Sequence, residues 1–593
     1  MGQGGRSAFD CQIQADGPGA CFPMTRRWVI AKSEPALART LADAVGVPAS
    51  LAQVLINRGY REAESATRFL NPQLRQLSDP FELPDMDAAV ERLVAAIGRH
   101  ERIVVYGDYD VDGVTSSALL MRVLRDAAAD VDSFLPRRMD EGYGLSQAGV
   151  ARCLKEHDPR LVVAVDCGTS SIHEIADLKR RHIDTIVLDH HEPPDQLPEC
   201  AALVNPKRSL QRQRVSASEQ SRSYEPLASV GISFKLAHAL LKRERHLAKA
   251  IDLREHLDLV AVGTVADVVP LTGENRILVK SGLEWLPRTR KVGLRALLDV
   301  ADVPDPVSPY HIGFRLGPRL NAAGRLADAR AALELLLTDD AARASELAEL
   351  LDEHNAERQQ IEERITEEAL AQARQREPDR VLVLANADWH AGVVGIVASR
   401  ISQQYYRPSV IIGAQGKGSC RSISGFSIVD ALSKCASVLE RFGGHEMAAG
   451  LRIDPKRIGV LRRLLNEHAA RVLRDEDLQP RLHIDAVVRL DELQGKFFEQ
   501  LERLEPCGQD NPGPTFAALG VRLRGTPRVV GTDHLKFFVA DPVTGVGAEA
   551  IWWKMANREL PKGLMDVAFN AQLHQYRGEQ TVQLNVRDVR ASV

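Results

Sequence analysis

A chain of 593 residues is too long for one hydrophobic core and calls for several domains. Apolar residues at 44% and charged residues at 26% are ordinary for a globular protein and exclude fibrous and membrane classes. Lys plus Arg at 76 against Asp plus Glu at 80 leaves a net charge of −4, so contact with nucleic acid would need positive charge gathered in a groove. The eight cysteines are scattered with no C-x-x-C pair, which speaks against a disulfide framework or structural zinc and fits a reducing compartment. No apolar run approaches the roughly 18 residues of a spanning helix. Residues 1–23 are rich in Gly and Ser and lack the apolar centre of a signal peptide. They read as a disordered extension, with Met24 the more natural start, and the protein is expected in the cytoplasm.

Residues 24–100 read as a helical leader. Leu37, Leu41, Val45, Leu51, Val54 and Leu55 recur at helical spacing, Glu62 to Leu70 forms a second short pattern that stops at Asn71-Pro72, and Met86 to Ile97 a third. No residue of the leader points to chemistry.

Residues 101–326 alternate strands with helices, which predicts a parallel sheet covered on both faces. Ile103 to Tyr106 runs into Asp108, Asp110 and Asp112 and then into a helix from about Thr115 to Arg125. A helix needs one cap, not three carboxylates, and anions crowded in one turn repel unless something cationic sits between them. Two later strands end the same way, Leu161 to Val165 in Asp166-Cys167-Gly168 and Thr185 to Leu188 in Asp189-His190-His191. Ligands of open parallel sheets bind off the carboxyl ends of strands, so the three ends together predict a divalent-metal site. Oxygen ligands alone suit magnesium or calcium, and added imidazole shifts the preference toward manganese, iron or zinc. Asp267 closes the nearly apolar run Ala261 to Ala266 and is an acid at the edge of a core, where a metal would satisfy it. The polar stretch Lys207 to Tyr224 reads as a surface insertion, with contact to nucleic acid left open.

In Leu316-Gly-Pro-Arg319-Leu-Asn321-Ala-Ala-Gly-Arg325-Leu326, basic and polar groups stand among small residues that let a backbone approach a ligand. Residues 327–378 are expected to be mostly one connecting helix, from Asp339 to about Arg376, with most of its charges on a solvated face. Residues 379–475 read as a second, smaller α/β domain. There Gly418-Ser419-Cys-Arg421-Ser422 is followed by Phe442-Gly443-Gly444-His445, read as a turn feeding a helix whose free amides suit an anion. Residues 480–593 change to short alternating runs and predict an OB-like β-barrel for single strands. Phe537, Phe538, Trp552, Trp553 and Tyr576 interleave there with Arg522, Arg524, Lys536, Lys554 and Arg577; alternation sends about half of the aromatics into the core.

Four motifs in order, G-D-Y-D-V-D-G (107–113), V-D-C-G (165–168), D-H-H (189–191) and A-D-V-V-P-L (266–271), resemble the DHH phosphoesterase superfamily and, within it, the RecJ single-strand-specific exonucleases. The resemblance runs from about Trp28 to the C-terminus. It implies a DHH catalytic domain, a DHHA1 domain and two Mn2+ or Mg2+ ions held by Asp108, Asp110, Asp112, Asp166, His190 and Asp267, with Asp166 bridging. Relatives carry a histidine where this chain has Tyr106, and Asp108 is the substitute. Asp189 would orient an imidazole and His191 would face the phosphate, so that His191, Asp189, Asp110 and Asp166 form the catalytic set. Arg138, Arg319, Asn321, Arg325, Ser419, Arg421, Ser422, Gly443, Gly444 and His445 would bind the strand and its terminal phosphate. A pair of such ions activates water and clamps both oxygens of an in-line displacement, which is phosphodiester hydrolysis.

The implied activity is a 5′-to-3′ exonuclease on single-stranded DNA that releases 5′-mononucleotides in repair and recombination. It would act as a monomer, with unpaired ends supplied by a helicase and a single-strand-binding protein. One alternative is a phosphodiesterase for short oligonucleotides or cyclic dinucleotides, against which the leader and the β-rich tail weigh. Another is a non-catalytic single-strand-binding factor on a decayed core, which expects missing ligands.

Overall fold

Strands buried on both faces read as near-continuous apolar runs, and such runs supply four of the five strands of the sheet that organises the first half of the chain, the fifth being the part-exposed edge strand Val131–Phe134. The computed structural model describes residues 26–592 other than 138–140, 143, 209–223, 225, 327, 377 and 577–578; the extension expected over 1–23 lies outside them. The chain divides into two compact units. One holds Glu34–Asn355 and Leu493–Pro514, the other Ala356–Glu492, Thr515–Val593 and the strand ahead of residue 34. That strand, β1 (Arg27–Ile30), is extended where the sequence was expected to open a helical leader.

In the first unit β2 (Ile103–Gly107), β3 (Val131–Phe134), β4 (Leu161–Val165), β5 (Asp184–Leu188) and β6 (Ala202–Val204) form an all-parallel sheet in the order β3-β2-β4-β5-β6. Alternation sorts each strand between two cores. Ile103, Val105, Leu161, Val163, Ile186 and Leu188 meet the helices Met86–Gly98, Val111–Asp126, Ser229–Arg243 and Leu257–Ala266. Val104, Tyr106, Val162, Ala164 and Val187 meet Gln147–His157 and Ile172–Arg180 on the other face. The register pairs Gly107 with Val165, Val165 with Leu188 and Leu188 with Val204. The residues that follow, Asp108, Asp166, Asp189 and Asn205, therefore leave the sheet side by side.

The leader beyond β1 is helical as expected, with Pro35–Val45, Ala49–Asn57, Ala63–Leu70 and Met86–Gly98. Among the described residues no single helix is long and apolar enough to cross a membrane. Pro35–Val45 and Ala49–Asn57 reach that length only together and are bent by 107°.

The second unit opens on the later turns of the 34-residue helix Ala341–Arg374, about 51 Å long at 1.5 Å per residue. Its charges are not all solvated: Arg358 and Glu362 are buried and paired, and Arg400 reaches Glu362 at 2.6 Å, because an ion pair placed one turn apart satisfies itself where it is covered. Next come β7 (Leu382–Ala385), β8 (Ser409–Ile412), β9 (Lys417–Arg421), β10 (Arg441–Gly444) and β11 (Ala448–Arg452), in the order β10-β11-β9-β8-β7. The G-G-H stretch ends β10 and begins the turn of the β10–β11 hairpin, and is not the entry to a helix. Gly443 pairs with Gly450 and Gly444 with Ala449, and Gly444, at φ +144°, turns where an added Cβ would strike Ala449.

β12 (Arg481–Ile484) pairs in parallel with β1, and Trp28 of β1 donates its indole N–H to Asp588 at 2.7 Å. β13 (Ala486–Val487), β14 (Phe516–Val530), β15 (His534–Ala540), β16 (Gly547–Trp552), β17 (Leu564–Tyr576) and β18 (Glu579–Ala591) form the last sheet. The order β14-β15-β16-β18-β17, with β14 also paired to β17, closes five strands into a barrel. One strand can serve both seams because β14 is 15 residues long and its ladders shift at Ala518/Val521 and Arg524/Arg528, beside Gly520 and Gly525 at positive φ.

Between β13 and β14 the chain visits the first unit as a short helix, Lys496–Glu502, and a loop. Arg276 fastens it there. Its guanidinium, 2% exposed, donates to the carbonyls of Phe69, Arg503, Leu504, Glu505 and Pro506 at 2.9–3.1 Å. Arg276→Met leaves five carbonyls without that donor; Leu504 and Pro506 keep the Asn511 amide, and at about 1–3 kcal/mol for each of the other three the first unit should lose at least about 3 kcal/mol, read as a lower urea midpoint. An unchanged midpoint would mean that the loop is held by its apolar contacts alone.

Candidate metal centre

The acidic turn folds so tightly on itself that two of its positions admit only glycine. A Cβ on Gly107 would overlap Ser117, and one on Gly113 would overlap the Asp108 backbone. The helix begins at once, at Val111 rather than near Thr115. Asp110 is its N-cap, accepting from the Gly113 N–H at 3.1 Å, so capping and metal binding are compatible at this residue. Asp108 accepts from the Gly144 N–H at 3.3 Å. Asp112, in the first turn, accepts from the Ser229 N–H at 2.7 Å and the Val230 N–H at 2.9 Å. At the next strand end Asp166 stands in the left-handed region, φ +61°, and accepts from the Ser229 hydroxyl at 3.0 Å. A non-glycine residue held there is strained backbone of the kind found at functional sites. Asp267 ends the helix Leu257–Ala266, which approaches closely because a Cβ on Gly263 would overlap Thr115 and press on Asp112.

The D-H-H strand end divides its labour. Asp189 accepts from the backbone N–H groups of His190 at 2.8 Å, His191 at 3.2 Å and Thr169 at 2.9 Å, and from the His191 ring at Nδ1, 2.7 Å away. The imidazole it orients is that of His191. The neighbouring ring presents Nε2 of His190 at 3.4 Å from both Asp166 Oδ1 and Asp267 Oδ2. Asn205, at the fourth strand end, braces the loop by donating to Thr169 Oγ1 and the His191 carbonyl.

Burial and mutual repulsion push these carboxyls up. Asp112 is pushed to about 7 by burial and by Asp110, and Asp267 to about 9 by burial, Asp112 and Asp110. Burial and Asp110 raise Asp108 and Asp166 well above the usual carboxylate range. Burial and His191 lower His190 to about 3, so its imidazole is neutral and able to ligate. Burial opposes the charged form of His191, but the bond to Asp189 outweighs it and holds the pKa above ordinary.

Three sets of ligand atoms lie within 4.8 Å of one another: Asp108, Asp110 and Asp166; Asp112, His190 and Asp267; and Asp166, His190 and His191. Asp166 and His190 each belong to two, so the sets form one centre. Asp108 Oδ2, His190 Nε2 and Asp267 Oδ2 are buried without a hydrogen-bond partner, an arrangement that is costly unless a cation satisfies them. The carboxylates suit Mn2+ or Mg2+, and the imidazoles favour Mn2+ of the two. Tyr106 is not part of the centre. Its hydroxyl meets the Gly144 carbonyl at 3.2 Å and its ring packs on Phe134, while Asp108 falls among the ligand atoms.

The remaining expected residues are dispersed. Arg138 lies outside the described residues. Arg319, Asn321 and Arg325 are on the helix Gly317–Leu326, where Gly324 packs on the Tyr109 carbonyl. The small residues thus admit the acidic turn's own backbone, and Arg319 is engaged with Asp352 at 2.8 Å. Ser419 and Arg421 are on β9, Ser422 directly follows it, and Gly443, Gly444 and His445 belong to the hairpin, all in the second unit. Ser229, Gly263 and Asn205 were not singled out from sequence; only Asn205 carried a signal, as the residue after a fourth apolar run.

Residues 102–264 match the DHH family N-terminal domain, 379–471 the DHHA1 domain and 484–588 the RecJ OB domain. The chain is 36% identical over 572 residues to the single-stranded-DNA-specific exonuclease RecJ of Dickeya dadantii, covering 91% of this chain and 95% of that one. It is 34% identical over 576 residues to the RecJ of Bacillus subtilis, covering 95% and 71%. The crystal structure of Thermus thermophilus RecJ with Mn2+ superposes at a TM-score of 0.82 and 32% identity, over 96% of this chain and 80% of that one.

Raised carboxyl pKa values set the pH dependence of the metal-free chain. Asp112 near 7 and Asp267 near 9 keep protons in the folded state that the unfolded chain, at the ordinary 3.8, has released. Their contribution is intact below that ordinary value and is lost as pH rises through 7 and 9. In chelator the melting temperature should therefore fall from about pH 5 to about pH 9, Mn2+ should restore it, and Asp267→Asn should flatten the alkaline part. A flat profile in chelator would show that these carboxyls are not driven together.

Proposed function

The chain belongs to the RecJ family of single-stranded-DNA-specific exonucleases, and from that membership we propose that it hydrolyses single-stranded DNA from the 5′ end with two divalent ions and releases 5′-mononucleotides. The observation that carries the proposal is the level register of four strand ends, which brings carboxylates and imidazoles into overlapping ligand sets. With Mn2+ or Mg2+ bound, such a site activates water and stabilises both the attacking and leaving oxygens of an in-line displacement. The chain's own residues do the holding. Asp108, Asp110, Asp112, Asp166, His190 and Asp267 would hold the ions, and Asp166 and His190 each belong to two of the ligand sets. Asp189 fixes the His191 ring, which faces the phosphate and offsets its charge.

Recognition of a 5′-phosphate by Ser419, Arg421 and His445 has its own support in the second unit. Gly395, in the first turn of the helix Val394–Tyr405, lies against Ser419 and near Arg421. A guanidinium at the positive end of a helix is unfavourable by itself, and an anion between them reconciles the two. Arg421 hydrogen-bonds Ser419 and the Cys420 carbonyl, so its charge is left for that anion.

In the barrel, register supports one stacking ring. Phe537 and Trp552 are buried, whereas Phe538 is 37% exposed, opposite Arg524 on one side and Glu549 on the other, on the strand face that also carries Lys536. We assign Phe538 to a base of the bound strand. The same reading has the enzyme working as a cytoplasmic monomer in repair and recombination, on ends freed by a helicase and a single-strand-binding protein.

On a 5′-labelled single strand with Mn2+, the native chain should release labelled mononucleotide promptly. Asp110→Ala should lower the rate by at least about 100-fold, the scale on which even the partners of metal ligands act. Internal cutting of a long strand, or equal rates for the two proteins, would defeat the proposal. Phe538→Ala should weaken binding of a long strand by about 1–3 kcal/mol, the value of one base stacked on an aromatic ring, and leave the rate on a dinucleotide unchanged.

A further inference from the structure

The helix Ser229–Arg243 begins without a cap of its own. Its N-cap, Ala228, has no side-chain acceptor, and the first two amides find theirs 117 and 118 residues earlier in the chain, on the two oxygens of Asp112. Ser229 then reaches a second carboxylate, its hydroxyl donating to Asp166 Oδ1 at 3.0 Å while its own N–H holds Asp112. One residue thus spans two acids that come from different strand ends. It has no freedom to let go: Leu227, Ala228 and Ser229 are fully buried, and Val230 is wedged against the helix Leu257–Ala266, where a Cβ on Gly263 would strike it.

We infer that Ser229 is a positioning residue of the metal centre, whose hydroxyl and N–H fix the spacing of Asp112 and Asp166 so that divalent-ion affinity, rather than the chemical step, depends on it. A carboxylate free to rotate presents its oxygens to an ion for only part of the time, whereas one held in place by a donor presents them continuously. Asp112 is pinned at both oxygens by backbone that no side-chain substitution removes. Asp166 accepts from the hydroxyl, which a side-chain substitution does remove, and Asp166 is the acid that two of the ligand sets share. The positive end of the same helix also lessens repulsion among the converging acids.

The inference rests on the two-ion reading of the site, and the test separates the two. Mn2+ dissociation constants would be measured without DNA, from the paramagnetic resonance of free Mn2+, for the native chain, Ser229→Ala, Ser229→Gly and Ser233→Ala. Ser233, one turn further along the same helix, is equally buried and its hydroxyl has no hydrogen-bond partner, so it controls for loss of a buried hydroxyl. Both Ser229 variants should bind Mn2+ about 10-fold more weakly. Ser233→Ala should bind like the native chain, and turnover of the Ser229 variants should return to the native value at saturating Mn2+. Both substitutions at 229 keep the N–H donors to Asp112, and a melting curve of each variant checks that it is folded. Native affinity in both Ser229 variants, or turnover that saturating Mn2+ does not recover, overturns the inference. A native chain that binds no Mn2+ overturns the two-ion reading itself.

Discussion

Repulsion among buried carboxylates is the constraint to which the first unit answers. Asp108, Asp112 and Asp166 are each at most 1% exposed, and Asp110 and Asp267 stand beside them. Every unusual local feature nearby serves to bring acids closer than they would go unaided. Gly107 and Gly113 let the turn double back, Gly263 lets a second helix lie against Asp112, and Asp166 accepts a left-handed backbone. Backbone amides and the Ser229 hydroxyl supply partial positive charge among these acids. A fold that spends so many positions on holding anions together has a divalent cation as its natural counterpart.

The strands and their acidic ends were legible because burial on both faces and metal ligation each demand a narrow set of residue types. Ile103 to Gly107 and Leu161 to Val165 could only be central strands, and Asp108, Asp166 and Asp189 follow them directly. Ser229 was not legible, because its role exists only through contacts 63 and 117 residues away in sequence. The G-G-H stretch misled for a related reason. Glycine carries no periodic signal, so a hairpin held by pairing with Gly450 and Ala449 looks the same as the approach to a helix. The burial of Arg358 and Glu362 was not legible, because the local pattern does not reveal which turn of a long helix is covered.

Register decided what composition left open in the barrel. Phe537 and Phe538 are adjacent in sequence and equally apolar, yet a two-residue repeat sends one into the core and the other outward. Tyr106 is a comparable case in the catalytic sheet. It occupies the position from which a ligand was expected, but its alternation points it into the core with Phe134, while the acid two residues on lies at the open end of the strand.

The excursion of Leu493–Pro514 into the first unit has a temporal consequence. A nascent chain emerging from the ribosome displays every metal ligand once residue 267 is out, but Arg276 must wait for more than two hundred further residues before its carbonyl partners exist. The first unit is therefore completed late in synthesis. A polypeptide ending before residue 503 carries all of these acids but none of the four later carbonyls that Arg276 binds.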